Sequence, residues 1–311
     1  DGGVVGAREC AIGLNTERDA VRIVKALRRL EDEGRRARVA VIGGGLSGVE
    51  LASVIAERVN GKSSGGSVDV VTPNGKVMAS APFGQREAAM KILEKDGVNV
   101  VDGRVSRLRK LVEDDSTSEA AGVFIFDDQG NEREEEYDIV CWTVGQRAET
   151  PSDWPVATTA AKKIKTDAML RVNGHSRIYA VGDASSSSAD VMDANHDELP
   201  STAQVAFQQA DYAAWNIWAS MNGRTELPFR YQHLGDMMVL GSLDAAVAFP
   251  VGDITLEGPA AAALRRLAYL YRMPTNEHRI KLGTKWIQDG IDQVQRDPTA
   301  FFEEIRKAFS L

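Results

Sequence analysis

Cysteine is scarce in this chain: two among 311 residues, Cys10 and Cys141, far apart and each in an apolar setting. That excludes a disulfide framework, fits a reducing compartment, and leaves both thiols as inert core residues. Histidine is nearly as scarce, with only His175, His196, His233 and His278. No second cysteine or histidine stands at ligand spacing, so no metal site is expected. The four imidazoles read as structural or surface groups rather than proton carriers. No apolar run approaches the roughly twenty residues that span a bilayer. An excess of positive charge is also missing: the formal net charge is −8, which argues against nucleic acid as a partner. Finally, the chain has no initiator methionine and opens Asp1-Gly-Gly, so it reads as a piece or a processed form.

What is present begins with length enough for two domains, or three if one is small. Val39 to Leu51 reads Val-Ala-Val-Ile-Gly-Gly-Gly-Leu-Ser-Gly-Val-Glu-Leu. The β-branched run predicts a buried strand ending at Gly43. Gly45 and Gly48 remove side chains that would block a pyrophosphate and the following helix, whose unpaired N–H groups then face the phosphates. Such a turn alone is a weak signal, but the helical spacing of Val49, Ala52, Ile55 and Val59 after it supplies the context. Gly44 belongs to the same turn.

Around the turn the periodicity predicts a helix from Thr16 to Glu33, strands at Ser67–Thr72 and Val98–Val101, and a helix from Gln85 to Asp96. Strands at Val105–Val112, Gly122–Phe126 and Tyr137–Val144 follow and read as antiparallel additions to a doubly wound unit. Gly145 would let a backbone lie against a nucleotide, or is an ordinary strand-exit turn. Pro151 to Pro155 mark a boundary. Beyond it, Ile178-Tyr-Ala-Val-Gly-Asp183 precedes a long helix from Pro200-Ser201 to Met221. Strands at Met237–Gly241 and Ala245–Phe249 lead to an amphipathic helical tail from Gly258.

Strand-Gly-Asp before a long helix resembles the way two-dinucleotide flavoproteins hold the ribityl chain of FAD, with Gly182 and Asp183 in the matching positions. The helix opening, Pro200-Ser-Thr-Ala-Gln-Val-Ala-Phe-Gln-Gln, resembles the Ala-Gln-x-Ala-x-Gln signature of type II NAD(P)H:quinone oxidoreductases. The likeness is strongest to the plastid branch and runs through Phe229-Arg-Tyr-Gln-His-Leu-Gly and Leu256-Glu-Gly-Pro to Pro274-Thr-Asn-Glu-His-Arg, covering essentially the whole chain. The resemblance implies an α/β fold: a Rossmann-like NAD(P)H domain with an antiparallel insert, a partial FAD-binding domain and a helical C-terminal tail. One departure is that family members begin with another glycine turn, for the ADP half of FAD, which this sequence does not contain. Residues 1–36 are therefore expected to be a connector, 37–150 the NAD(P)H domain, 151–228 the returning part of the FAD domain and 229–311 a quinone- and membrane-associated region.

The same resemblance implies FAD and NADPH or NADH as cofactors, a quinone as acceptor, and electron transfer without proton pumping. It gives Glu50, Gln204 and Gln208 catalytic roles and places Ala203, Gln204 and Val205 at the flavin. Glu50 equally suits the first turn of a helix, where a carboxylate favours the macrodipole, and the two glutamines equally suit a solvated helix face. At the end of the second strand, Val70-Val-Thr-Pro-Asn-Gly-Lys carries no acidic residue for adenosine ribose hydroxyls. Thr72 and Lys76 at that position favour NADPH use or tolerance.

In the tail, Leu264, Leu267, Ala268 and Tyr271 form an apolar stripe beside Arg265, Arg266 and Arg272, continued by Trp286, Ile287 and Ile291. Such a segment can lie in a membrane interface or pack on its own domain. Resemblance favours peripheral attachment, at a plastid thylakoid or plastoglobule surface, with a mitochondrial or bacterial inner membrane as the alternative. A homodimer is left open. Rival readings are a disulfide reductase, a ferredoxin-type flavin reductase, or a catalytically inactive nucleotide-binding module.

Overall fold

The computed structural model describes residues 3–60, 65–79, 81–111, 119–145, 148–187, 199–240, 244–249, 254–273 and 275–296. His196 lies outside the described residues. The chain divides into two compact units, Asp1–Val144 with Gly235–Leu311, and Gly145–Leu234.

The larger unit is built on a five-stranded parallel sheet. Its elements run α1 (Ala7–Cys10), β1 (Ile12–Gly13), α2 (Glu17–Asp32), β2 (Ala37–Ile42), α3 (Leu46–Asn60), β3 (Gly66–Thr72), α4 (Phe83–Lys95) and β4 (Val98–Asp102). They continue with β5 (Arg104–Lys110), β6 (Ala121–Phe126), β7 (Glu132–Tyr137) and β8 (Ile139–Trp142). The sheet order is β1-β8-β2-β3-β4, every neighbouring pair parallel. Strands β5, β6 and β7 form a separate antiparallel sheet.

Both faces of the parallel sheet are covered, which is why its strands read as nearly unbroken apolar runs. On β2, Val39 and Val41 join the core beneath the helices, while Ala40 and Ile42 join the core beneath the antiparallel sheet. Cys141 and Val140 of β8 divide in the same way. Both cysteines are buried and unpaired, and burial pushes the Cys141 thiol up to about 12. Buried polar groups interrupt this unit, Ser53, Gln85 and Asp69 among them. Asp69 is satisfied by Tyr137 Oη at 3.0 Å and Asn99 Nδ2 at 2.9 Å, with Arg38 at 3.7 Å, as a buried carboxylate requires.

One sequence expectation needs correction here. Residues Tyr137–Val144 do not form one antiparallel strand: Tyr137 ends β7, and β8 begins at Ile139 and pairs in parallel between β1 and β2. Residues 1–36 contribute β1 to the edge of the parallel sheet, and Ile23, Leu27 and Leu30 of α2 to its core. Thr16 caps α2 through a reciprocal capping box with Asp19.

The C-terminal part of the larger unit contains β11 (Asp236–Leu240), β12 (Asp244–Ala248), β13 (Thr255–Glu257), α6 (Gly258–Arg272) and α7 (Asn276–Arg296). The three strands make an antiparallel sheet. Met238 and Ala246 of that sheet share the core of α3 and α4, while Ala245 and Val247 pack with Ala261 of α6. The alternation of β12 thus places a helix layer on each side of it.

The smaller unit holds β9 (Ile164–Thr166), β10 (Ser185–Ser187) and α5 (Ala203–Met221). The two strands pair in parallel, and a 3-10 turn at Gly182–Ala184 leads into β10. Its core holds two clusters, Leu170, Ala213 and Phe229 in one and Ile164, Val172 and Ala180 in the other, with Tyr212 edge-on to Phe229 at 5.2 Å. The helix begins two residues later than the sequence suggests. Thr202, not Pro200-Ser201, supplies the cap, accepting from the Val205 N–H, because its hydroxyl reaches the third helical amide.

Candidate functional site

In the larger unit, the site starts where β2 runs out at Ile42. Gly43 adopts φ 114°, a conformation that L side chains avoid, and donates its N–H to the Val71 carbonyl at 2.9 Å. The glycines then divide by what surrounds them. A Cβ on Gly48 would stand 1.9 Å from the Gly43 carbonyl oxygen, and one on Gly44 would stand 2.6 Å from Thr72 Oγ1. Those two positions are closed by the protein's own packing. Gly45 has no heavy atom within 4 Å of the place a Cβ would take. It is the open face of the turn, at the start of a fifteen-residue helix, the end at which a helix carries unpaired backbone N–H groups and its positive dipole.

Thr72 and Lys76, both expected at the adenosine end, occupy different environments. Thr72 is buried, and its hydroxyl donates to the Lys76 carbonyl at 3.2 Å. Lys76 is exposed. Between them Pro73–Gly75 form a 3-10 turn in which Asn74 and Gly75 have φ of 59° and 57°.

Glu50 faces away from the solvated role that a first-turn carboxylate usually takes. Its Oε1 accepts the Val239 N–H at 2.7 Å, which ties α3 to β11. Burial pushes the Glu50 carboxyl above its ordinary value, against the Val239 N–H and the Arg265 charge, which favour the ionised form. Arg265 Nε is buried without a hydrogen-bond partner among the described residues, and its guanidinium lies 4.6 Å from the Tyr269 ring centre. The structure thus gathers Glu50 with a cation and a backbone amide from the C-terminal region.

In the smaller unit, Gly182 has φ 65°, and Asp183 and Ala203 are exposed while Val205 is buried. Gly145 has φ 82° and open space around it. The two signature glutamines are both engaged. Gln204 Oε1 accepts from Tyr231 Oη at 2.7 Å and from the Leu234 N–H at 2.9 Å. Gln208 accepts the Gln232 N–H at 2.9 Å and donates to the Gln232 carbonyl at 2.8 Å, pairing with that backbone as a strand would. Together they fix residues 231–234 along the first turns of α5.

Sequence reasoning missed Gln209. Its side chain is 1% exposed, and its Oε1 accepts the Gly182 N–H at 2.6 Å and Ser185 Oγ at 3.4 Å. It is the amide that fastens the Gly182–Asp183 turn to α5. The signal was available, since Gln209 ends the very segment that carries the family likeness. Asn216, fully buried, was also missed. It brackets Leu227 through both its N–H and carbonyl and donates to the Met169 carbonyl. A small cleft lined by Lys163, Gly182, Ser185, Ser201, Val205 and Gln209 opens at the start of α5, with Lys163 Nζ 3.1 Å from Ser201 Oγ.

Residues 4–210 match the family model for pyridine nucleotide-disulphide oxidoreductases. A relative in Synechocystis, demethylphylloquinone reductase NdbB, is 34% identical over 306 residues, covering 94% of this chain and 69% of the relative. The chain belongs to this family, in its type II NAD(P)H:quinone oxidoreductase branch. The alternative NAD(P)H-ubiquinone oxidoreductase C1, chloroplastic/mitochondrial, of Arabidopsis thaliana is 41% identical over 310 residues, covering 94% of this chain. The chain spans 57% of the length of that relative. Among solved structures, NDH2 from Plasmodium falciparum in complex with NADH superposes with a TM-score of 0.71 at 16% identity, covering 92% of this chain and 74% of that one. That likeness concerns the fold. FAD and NAD(P)H are the cofactors that family membership implies. The open face at Gly45 fits the dinucleotide, and the exposed Asp183 on a turn held by Gln209 fits the flavin's polyol.

Proposed function

We propose that the protein takes part in electron transfer from NAD(P)H through FAD to a membrane quinone, without proton pumping. The observation that carries this reading is the pairing of two motifs in one chain. An open glycine turn leads into α3 in one unit, and a glycine-aspartate turn is fastened to the signature helix in the other. FAD, when bound, supplies the two-electron chemistry; the protein supplies position and electrostatics. Gly43, Gly44, Gly45 and Gly48 shape the cradle for the nucleotide's pyrophosphate. Asp183 accepts from a polyol hydroxyl, and Gly182 and Gly145 allow close backbone approach. Ala203, Gln204 and Val205 present the positive end of α5 to the electron-rich edge of the flavin.

The glutamines act by position in this reading. Gln204 and Gln208 hold residues 231–234 beside α5, so their removal would disturb the acceptor's surroundings rather than a proton path. Glu50 holds the N–H of Val239 and carries a proton more readily than a solvated carboxylate, which suits a group close to a changing charge.

For attachment to a lipid surface, α6 and α7 supply exposed Leu267, Tyr271, Ile280 and Ile287 with Arg266, Arg272, Arg279 and Lys281 alongside. No helix among the described residues is long and apolar enough to cross a membrane. The name of the Arabidopsis relative, chloroplastic/mitochondrial, supports a plastid or mitochondrial location.

The test is oxidation of NADPH and NADH with added FAD and a soluble quinone. It would be run with this chain alone and with the chain joined to the remaining segment of the Arabidopsis relative. Quinone-dependent turnover in either preparation supports the proposal. Nucleotide binding in both, with neither flavin retention nor quinone reduction, would leave a nucleotide-binding module instead.

A further inference from the structure

Reduction of a quinone to a quinol by NAD(P)H takes up a proton from water in addition to the hydride, so a donor has to stand beside the acceptor. Within the smaller unit three side chains form a hydrogen-bonded line. Tyr231 Oη donates to Gln204 Oε1 at 2.7 Å, and His233 Nδ1 lies 3.2 Å from the same hydroxyl. The directions follow from what each atom can do. The Leu234 N–H can only donate, and it too meets Gln204 at Oε1, so that oxygen accepts from both. Tyr231 has one proton, already on Gln204; its hydroxyl therefore accepts from His233, whose Nδ1 carries hydrogen. His233 is exposed and Tyr231 half-buried, so the line runs inward from solvent. Exposed apolar side chains flank it: Leu234, next in sequence, and Phe207, three residues from Gln204 and thus on the same side of α5. A hydroxyl with a proton supply, bordered by apolar surface, suits a flat ring that carries carbonyl oxygens.

We infer that Tyr231 is the proton donor to the quinone and that His233 returns a proton to it from water. The inference rests on the reading of this protein as a quinone reductase and supplies the acid that the reading lacks. In the step, the Tyr231 O–H turns from Gln204 Oε1 to the anionic oxygen of the reduced quinone and breaks as the quinol O–H forms. The tyrosinate then takes the Nδ1 proton of His233 while Nε2 gains one from a hydronium ion or a buffer acid. The imidazole ends neutral, one proton has entered from water, and exchange with solvent restores Nδ1–H. A phenol is close in acidity to the quinol it creates, so the transfer meets no large energetic cost. Gln204 stands outside the path; its carbonyl holds the hydroxyl at rest. Sequence alone left His233 as a surface group, and its approach to the Tyr231 ring, 6.2 Å between centres, is what the fold adds.

Nitrogen-15 NMR of the histidine rings in this chain tests the line without flavin or turnover. At alkaline pH, where imidazoles are neutral, the His233 ring, assigned from the His233→Gln spectrum, should be in its Nδ1–H form. Tyr231→Phe should release it to the Nε2–H form. A wild-type ring with a bare Nδ1 would reverse the line and overturn the inference. The second measurement uses the chain joined to the remaining segment of the Arabidopsis relative and loaded with FAD. There Tyr231→Phe should slow reduction of a soluble quinone about 100-fold, the scale of a positioned acid, and spare reduction of ferricyanide, which takes electrons without protons. His233→Gln should slow quinone reduction about tenfold, and imidazole added to the buffer should recover most of that loss. Equal quinone rates in the wild type and Tyr231→Phe would overturn the donor. So would a fall in ferricyanide reduction in step with quinone reduction, the mark of a hydroxyl that serves structure alone. A wild type that reduces ferricyanide but no quinone would overturn the quinone reading itself, and the donor with it.

Discussion

The turn before α3 and the turn before α5 both bring a glycine to the approach of a long helix, yet they are held by opposite means. At Gly43–Gly48 the restraint is the absence of side chains: Gly48 sits so close to the Gly43 carbonyl that no Cβ fits. At Gly182 the restraint is a side chain, the buried Gln209 amide, reaching across to take the turn's N–H. The first site is encoded in six consecutive residues and is visible to anyone reading them. The second depends on a residue 27 positions away, so its strength is tertiary. Local backbone geometry resists change everywhere except at its open face, whereas a clamp fails through one atom.

Substitutions break this contrast in graded steps. Gly48→Ala should have the largest effect, with a loss of about 3 kcal/mol of stability, because the colliding atom belongs to the backbone and cannot swing aside. Chemical denaturation and nucleotide titration should register the change together. Gln209→Leu should follow, costing about 2 kcal/mol through the stranded Gly182 N–H. Its signature is weakened flavin retention with nucleotide binding to the larger unit unchanged; a parallel fall in both would contradict the clamp. Thr202→Ala, removing the α5 cap, should cost about 1 kcal/mol, read from the same denaturation curves. Gly45→Ala should leave stability within about 0.5 kcal/mol while reducing nucleotide affinity, since its Cβ would enter only the open face. If Gly45→Ala binds nucleotide as well as the wild type, the open face is not where the pyrophosphate lies.

Glu50 sharpens the comparison through pH. Burial raises its folded-state pKa above the ordinary 4.5, so the folded chain holds this proton more tightly than the unfolded chain does. Stability from this group is full below the ordinary value and is lost as pH rises through the raised one. Glu50→Gln preserves an acceptor for the Val239 N–H and removes the titration. The variant should therefore gain on the wild type as pH climbs across that window. A difference in unfolding free energy that stays flat with pH would show that Glu50 does not change its ionisation on folding.

Much of the larger unit was legible because its signals are local. Apolar β-branched runs gave β2, β3 and the edge strand β4 within a residue or two, and the helical period between Thr16 and Glu33 gave α2. The two-residue strand β1 was invisible because Ile12–Gly13 has no periodicity to read; it is a strand only because β8 offers an edge. Tyr137 looked like the start of β8 because apolar character continues through it, but its hydroxyl belongs with Asp69 and its backbone with β6. Gln204 and Gln208 stand in one segment of the family likeness and Tyr231, Gln232 and Leu234 in another, but nothing in either segment says that the two glutamines hydrogen-bond to the second.

The sequence by itself determined the doubly wound core, the glycine turn before α3, the family and the identity of the residues at both turns. The core and the glycine turn follow from steric rules and hydrophobic period, which act over a few neighbours, whereas the family and the Gly182-Asp183 turn came from the resemblance of their motifs. Only the tertiary structure decided that Thr72 is sealed beneath the cradle, that Glu50 grips β11, and that three glutamines serve as clamps. A side chain's hydrogen-bond partner is chosen by what the fold brings within about 3 Å, and no local pattern encodes that distance.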